Sequence, residues 1–476
     1  MSGPFLYQDV IKETSPDDLK TIAHIKRFLE CMAGDPEFRA AVERDAAGCG
    51  ALLEARGILG VDPLQLTALL PKLASQAEPA ADDLQDKPQG LLWRRWSETH
   101  EQLRREWRKR SDGTPNERFN LWHRRQVNRC NSQLGKLSSE QLIHATIVFE
   151  LTRGCSLQCP FCGLAAEPLK DVFLYTEENA GLWRDVLEVA VKHLGSTVGT
   201  GVCYWATDPA DNPDYLKFAA DFGRKTGVYP QATTSAPLRD LQWTRSLLEF
   251  RRRHNTSVDR FSVLSLNALR RIHKTFTAEE LAFTNLILQY VDVMKMSMAR
   301  SGRNRQVKAE QEGSEAAKDH TIACVTGYLV NMVVGTVRLI SPCPPSDSAP
   351  LGYLVHAEGR FSSARELDDF IAATMERCMP EHCASEDILT FRPDLRYRSL
   401  ANGFQLANEY KAHKLEGKPY LIKLGELIAG GNLTFSQVLD EMSAHSAHVL
   451  SVITTIQKLF SQGLLTDQKV AAGGLR

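Results

Sequence analysis

The run Glu150-Leu-Thr-Arg-Gly-Cys155-Ser-Leu-Gln-Cys159-Pro-Phe-Cys162-Gly163 sets three cysteines on one short loop, three residues apart and then two. Thiolates are the soft ligands that iron–sulfur clusters take. This spacing lets them hold three corners of a cube and leave its fourth iron open. A structural zinc site would need a fourth ligand to close its tetrahedron. No histidine or further cysteine lies nearby downstream. The other eight cysteines (Cys31, Cys49, Cys130, Cys203, Cys324, Cys343, Cys378 and Cys383) are scattered without paired C-x2-C knuckles.

Immediately upstream, Thr146 to Leu151 is the first of six predicted strands. The others are Val202 to Ala206, Tyr229 to Thr233, Phe261 to Leu266, Tyr290 to Met296 and Val334 to Ile340, with longer helical stretches between them. Such alternation is the mark of βα units around a parallel sheet. Trp183, Val186, Leu187, Ala190 and Leu194 form one stripe on the first intervening helix, as a helix covering a sheet requires. The expected fold is α/β, a partial (β/α)6 barrel whose cysteine loop leaves strand one at the carboxyl end, where ligands sit. Residues 303–320, RNRQVKAEQEGSEAAKDH, carry charge without periodicity and predict a mobile loop near the site.

Residues 15–75 read as helical, with Ile22, Ile25, Phe28, Leu29 and Met32 at three- and four-residue steps. Asp35 can cap a second helix, Pro36 fits its first position, and Phe38 and Val42 face inward. Polar, proline-bearing residues 76–90 predict a linker. Toward the other end, Thr434 is a natural N-cap. Val449, Val452, Ile453, Ile456, Leu459 and Phe460 stripe a long helix, and Gly463 supplies the left-handed residue to end it. The expected divisions are a helical domain over 1–84, a helical connection over 85–140, the barrel over 141–400, and a small helical or winged-helix-like unit over 401–476.

A hydrophobic content of 43% in 476 residues is ample for a sizeable core, and a net charge of −1 gives no global pull toward nucleic acid or membrane. Arg94, Arg95, Arg104, Arg105, Arg108, Lys109 and Arg110, interleaved with Trp93, Trp96 and Trp107, read as a solvated helix face over the core. Lys458 alone gives a fixed positive charge between Ser446 and Gln462, which argues against DNA binding there. No secretion signal opens the chain and no apolar run reaches membrane-spanning length, so a cytoplasmic protein is expected. Its eleven cysteines are then reduced thiols and cluster ligands.

With an aromatic residue before its last cysteine, the motif resembles that of the radical S-adenosylmethionine (SAM) enzymes. The resemblance implies one 4Fe-4S cluster on Cys155, Cys159 and Cys162. SAM is then chelated by the open iron and cleaved by one electron to a 5′-deoxyadenosyl radical. Phe161 and Gly163 are placed against these cofactors. Superfamily members often carry a Gly-Gly-Glu motif after strand two for the SAM amine. CYWATDPADNPDY stands there instead, in which Thr207 and Asp208 are competent partners for an ammonium group. Thr233, Thr234 and Ser235 offer hydroxyls after strand three, and Ser265, Asn267 and Arg270 after strand four could reach the ribose and carboxylate.

The strings ELTRGCSLQCPFCGLAA, YWATDPADNPDY, FSVLSLNALRRIH and TVRLISPCPPSDSAPLGY are together similar to proteusin-type radical SAM peptide epimerases, over most of residues 20–400. That likeness implies an isomerase that converts L-residues to D-residues in a ribosomal precursor peptide. The radical removes a Cα hydrogen, and a hydrogen returned to the opposite face inverts the centre. The donor must be a neutral thiol, which burial preserves. Cys343, in the turn Pro342-Cys343-Pro344-Pro345 just past strand six, is the expected donor, with Cys324, Cys378 and Cys383 as rivals. The implied partners are the precursor, leader and core, and an electron donor such as flavodoxin or ferredoxin. The C-terminal unit looks similar to winged-helix modules that recognise leaders. FLECMAGDPEFRAAVERD looks like the helical leaders of nitrile-hydratase and Nif11-type precursors. Two functions compete. Other radical peptide modifications, such as C–C or thioether crosslinking or backbone excision, change product mass. A non-catalytic iron–sulfur regulator would not turn over SAM.

Overall fold

The computed structural model describes residues 14–73, 86–109, 113–254, 256–290, 301–305, 321–445 and 447–467. Ser15 accepts a hydrogen bond from Asp18 N and starts the helix Pro16–Gly34, in which the predicted stripe from Ile22 to Met32 is buried. Asp35 caps the next helix, Pro36–Arg44, from Phe38 N. These helices share a core that includes Phe28, Phe38, Leu53 and Leu66. The helix Pro88–Lys109 buries Trp96 beside Ile22, and its outer side carries the ion pairs Arg94–Glu98 and Arg105–Glu101. Residues 76–85 of the predicted linker and 306–320 of the predicted loop lie outside the described residues.

After the helix Glu117–Ser139 the chain becomes mixed α/β, and among the described residues its sheets stay small and none closes into a barrel. β1 (Ala145–Glu150) pairs in parallel with β7 (Val325–Asn331). Beyond β7, β8 (Thr336–Pro342) and β9 (Tyr353–Arg360) continue the sheet antiparallel. β2 (Thr152–Arg153) pairs with β3 (Asp171–Val172). A parallel sheet joins β4 (Thr233–Thr234), β5 (Asp259–Val263) and β6 (Thr284–Leu288). The helix Glu177–Leu194 buries its predicted stripe against this region.

Several strands differ from the sequence pattern. Residues 202–206 are irregular, touching β1 through Phe149 N to Val202 O at 3.0 Å. Gly201 approaches so closely that a Cβ would overlap the Ile147 carbonyl. β4 is short because Pro230 has no N–H for a ladder and its carbonyl is taken by Arg251 at 2.6 Å. β5 stops at Val263 because Ser265 caps the helix Leu266–Thr275. The fifth strand, β6, precedes the predicted Tyr290–Met296, of which 291–296 lie outside the described residues. The predicted sixth strand is half of a hairpin. Its partner β7 is almost wholly buried, and the turn between them uses Gly335 at φ +60°. β8 therefore runs opposite to β1.

The C-terminal unit has its own core. β10 (Arg396–Leu400), β11 (Gly403–Ala407) and β12 (Ala412–Glu416) form an antiparallel sheet, followed by helices Tyr420–Gly430, Phe435–Ala444 and Val449–Ser461. Thr434 and Gln437 make a capping box, and Gly463 follows the last helix at φ +65°. Leu389, Phe391 and Leu395 belong to this core, so the unit begins before residue 401, a boundary that would cut the β10–β11 hairpin. The unit docks on Glu117–Ser139 through Arg392, which donates to Gly463 O (2.6 Å) and Ser132 Oγ (3.1 Å). No helix among the described residues is long and apolar enough to cross a membrane.

Candidate active site at the cysteine loop

Beyond β1 the chain turns at Gly154 (φ +85°), where a Cβ would overlap the Pro168 carbonyl. Cys155 N then donates to Glu167 O at 2.9 Å, closing a hairpin whose tip carries Cys159 and Cys162. Three residues pin that tip. Asp211 accepts from Ser156 N (2.9 Å) and Ser156 Oγ (2.5 Å) and pairs with Arg239 (2.9 Å). Gln158 Nε2 donates to Cys155 O at 2.8 Å. Arg303 donates from its backbone N to Cys162 O (3.0 Å), from Nε to Cys159 O (3.0 Å) and from Nη1 to Ala166 O (2.6 Å). Sequence reading missed Asp211, Arg239 and Arg303. Asp211 sits in the quoted DPADNP string and Arg303 in the charged run, but nothing in either marks a loop clamp.

The three thiols are free and half-buried. Burial pushes Cys155 up to about 11, with Asp211, Asp208 and Cys159 adding to the rise. Burial, Cys162 and Asp208 raise Cys159. Asp208 thus lies beside the loop, accepting from Thr234 Oγ1 (2.7 Å), Ser235 N (2.7 Å) and Ala210 N (2.9 Å). Burial lifts its carboxyl above the usual range despite these bonds. The structure therefore brings Cys155, Cys159, Cys162, Asp208, Thr234 and Ser235 together. Phe161 is half-buried. Gly163 is buried with Ile322 and Ser301 so close that a Cβ would stand 2.9 Å from each. Thr207 is turned to the Thr152 hydroxyl.

Two predicted SAM contacts are committed elsewhere. Ser265 Oγ accepts from Ala268 N as a helix cap (3.1 Å), and Arg270 pairs with Asp35 (2.9 Å) and Glu37 (2.7 Å) of the N-terminal helices. The cause is that Leu266–Thr275 packs on Pro16–Gly34, which leaves Arg270 facing that interface. Asn267 is exposed.

Cys343 is buried, and burial pushes its thiol up to about 11 against the pull of Arg129. The reversed direction of β8 places it level with the start of β1, away from the carboxyl end where the cysteine loop leaves. The strand-end premise for Cys343 does not hold in this topology. Cys343 and the loop are linked through intervening residues. Cys343 N donates to Gly352 O (3.0 Å), Thr321 Oγ1 donates to the same carbonyl (2.8 Å), and Ile322 reaches Gly163.

The donor chemistry fits a three-thiolate cluster: three cysteines on one pinned loop, with Ser301 Oγ buried, unpartnered and pressed against Gly163. Among the described residues, no three His, Cys, Asp or Glu side chains stand in ligating geometry.

Residues 389–463 match the family described as Protein y4wI C-terminal domain. Over 473 residues, 97% of this chain and 90% of the relative, the chain is 36% identical to "Uncharacterized protein y4wI" of Sinorhizobium fredii. No solved structure matches it. Identity at that level across nearly all of both sequences means that the chain belongs to the y4wI family.

Proposed function

We propose that this chain is a radical SAM peptide epimerase, acting in the cytoplasm on a ribosomal precursor. The observation that carries the reading is the pinned three-cysteine loop leaving β1 beside the buried Asp208. Cys155, Cys159 and Cys162 would hold a 4Fe-4S cluster, which supplies the electron that cleaves SAM to a 5′-deoxyadenosyl radical. Asp208 would take the methionyl ammonium of SAM. Thr234 Oγ1 and Ser235 N hold its two oxygens, so the carboxylate is oriented before the ligand arrives. Tyr204 OH, 2.7 Å from Thr233 Oγ1, joins the 202–206 segment to β4, and we read β1, that segment and β4-β5-β6 as one arc of a partial barrel.

The returned hydrogen would leave the Sγ of a buried cysteine for the substrate Cα. The sulfur then regains an electron from a donor such as flavodoxin or ferredoxin and a proton from water. Cys343 keeps its proton by burial, and burial also raises Cys324. We assign the donor to Cys343, which is tied to the loop through the Gly352 carbonyl it shares with Thr321 and through the adjoining Ile322 at Gly163. The C-terminal unit would bind the leader. The outer edge of β12 is unpaired in its sheet and exposed at alternate positions, where an extended peptide can add a strand.

Co-expression with a precursor encoded by a neighbouring gene, in heavy water, tests the proposal. A D-residue with deuterium at Cα, and 5′-deoxyadenosine from the purified enzyme, are expected. Cys343→Ala should still cleave SAM and give no D-residue. If Cys324→Ala does this instead, the donor assignment moves. A product of changed mass, or no SAM cleavage by iron-loaded protein, would overturn the function.

A further inference from the structure

We propose that Arg260 and Tyr204 form a carboxylate-binding subsite for an acidic side chain of the substrate, an inference that rests on the reading of this chain as an enzyme acting on peptides. In β5, Phe261 and Val263 pack against the helices, so Arg260 projects from the opposite face of the sheet. Strand register sets Thr233 and Asn285 on either side of it, and Tyr204 OH meets Thr233 Oγ1 at 2.7 Å. The Arg260 charge acts on the Tyr204 phenol and the Cys324 thiol, countering the effect of their burial.

Arg260 is half-buried; its backbone N donates to Ala232 O at 2.9 Å, and its guanidinium makes no hydrogen bond or ion pair with another described residue. Its neighbours in the fold do otherwise. Arg251 pairs with Asp259 at 2.9 Å and Arg239 with Asp211 at 2.9 Å. A guanidinium with no counter-ion among the described residues is open to an anion arriving with a ligand. One fixed charge flanked by neutral Thr233, Asn285 and Tyr204 matches a singly charged group. The planar fork, with a phenol beside it, matches a carboxylate.

A carboxylate could come from the peptide or from the methionyl end of SAM, and depth favours the peptide. Asp208 and the cysteine loop lie at the carboxyl ends of the strands. Arg260 lies three residues before the end of β5, roughly 10 Å deeper. Cys324 lies level with the start of β1, where its carbonyl accepts from Ala145 N (2.8 Å).

The test uses metal-free full-length protein and saturation-transfer NMR with two capped pentapeptides, AAEAA and AAQAA. The glutamate peptide is expected to bind roughly tenfold more tightly, the strength of a charge-assisted bidentate contact. Arg260→Gln should abolish that preference, and Tyr204→Phe should reduce it. Equal binding of both peptides would overturn the subsite. So would an Arg260→Gln variant that weakens SAM as much as decarboxylation of SAM does, while leaving the peptide preference intact. The readout needs no turnover, so an absence of 5′-deoxyadenosine counts against the epimerase alone.

Discussion

Glu150 closes β1 and accepts from Asn331 Nδ2 at 2.8 Å, in a setting so buried that its carboxyl is raised from 4.5 to about 7. Burial is the main cause; Asn331 and the Arg338 charge pull the other way. Between those two values the folded protein keeps a proton that the unfolded chain has lost. The contribution of Glu150 to stability is therefore most favourable below about pH 4.5, falls as pH rises toward 7, and levels off above. At about 1.4 kcal/mol for each unit, the full difference is about 3 kcal/mol. Glu150→Gln can still accept from Asn331 and has no charge to bury. It should match wild type near pH 4 and be more stable by up to about 3 kcal/mol at pH 8. Because the chain has several cores, global melting will not be a single transition. Hydrogen exchange at the β1 amides, at both pH values, is the suitable assay, supported by the carboxylic C=O stretch in the infrared difference between the two proteins. A gap of equal size at pH 4 and pH 8, or a wild type that is the more protected at pH 8, would refute the reasoning.

Alanine at Cys155, Cys159 or Cys162 should abolish iron and sulfide retention after anaerobic reconstitution while leaving far-UV circular dichroism unchanged; retained iron in any of the three would count against the cluster. Asp211→Asn removes the charge that holds Ser156 and Arg239, so it should cost about 1–3 kcal/mol locally and speed iron loss to a chelator severalfold. Arg270→Ala should leave SAM affinity unchanged, because its partners are Asp35 and Glu37. It should also make the N-terminal helices more susceptible to limited proteolysis, and a SAM defect would return Arg270 to the site.

Local chemistry was legible wherever it was carried by neighbours in sequence. The caps at Asp35 and Thr434, the helix-ending Gly463 and the buried stripes on Pro16–Gly34 and Glu177–Leu194 all rest on contacts within a turn or two. Strand direction was not legible. Only Val334–Ile340 is predicted there as a strand, and the Gly335 turn makes it half of a hairpin with Val325–Asn331 that reverses its direction. That reversal places Cys343 level with the start of β1. At the site, cysteine spacing marks the loop, but the clamps Asp211 and Arg303 lie about 55 and 140 residues away from it and carry no periodic signal. Arg270 shows the converse: a polar residue after a strand suggested a ligand, when a distant helix had already claimed its charge.

β1 can find its parallel partner only across about 180 residues of intervening chain, a separation that makes strand docking slow. During synthesis, everything through Asn331 must leave the ribosome before that edge is covered, so the cysteine hairpin emerges while the strand bearing it is still exposed. Metal loading by a nascent or truncated polypeptide would thus precede the architecture that holds the loop in place. Any fragment ending before residue 331 should gather iron poorly and aggregate through the uncovered edge.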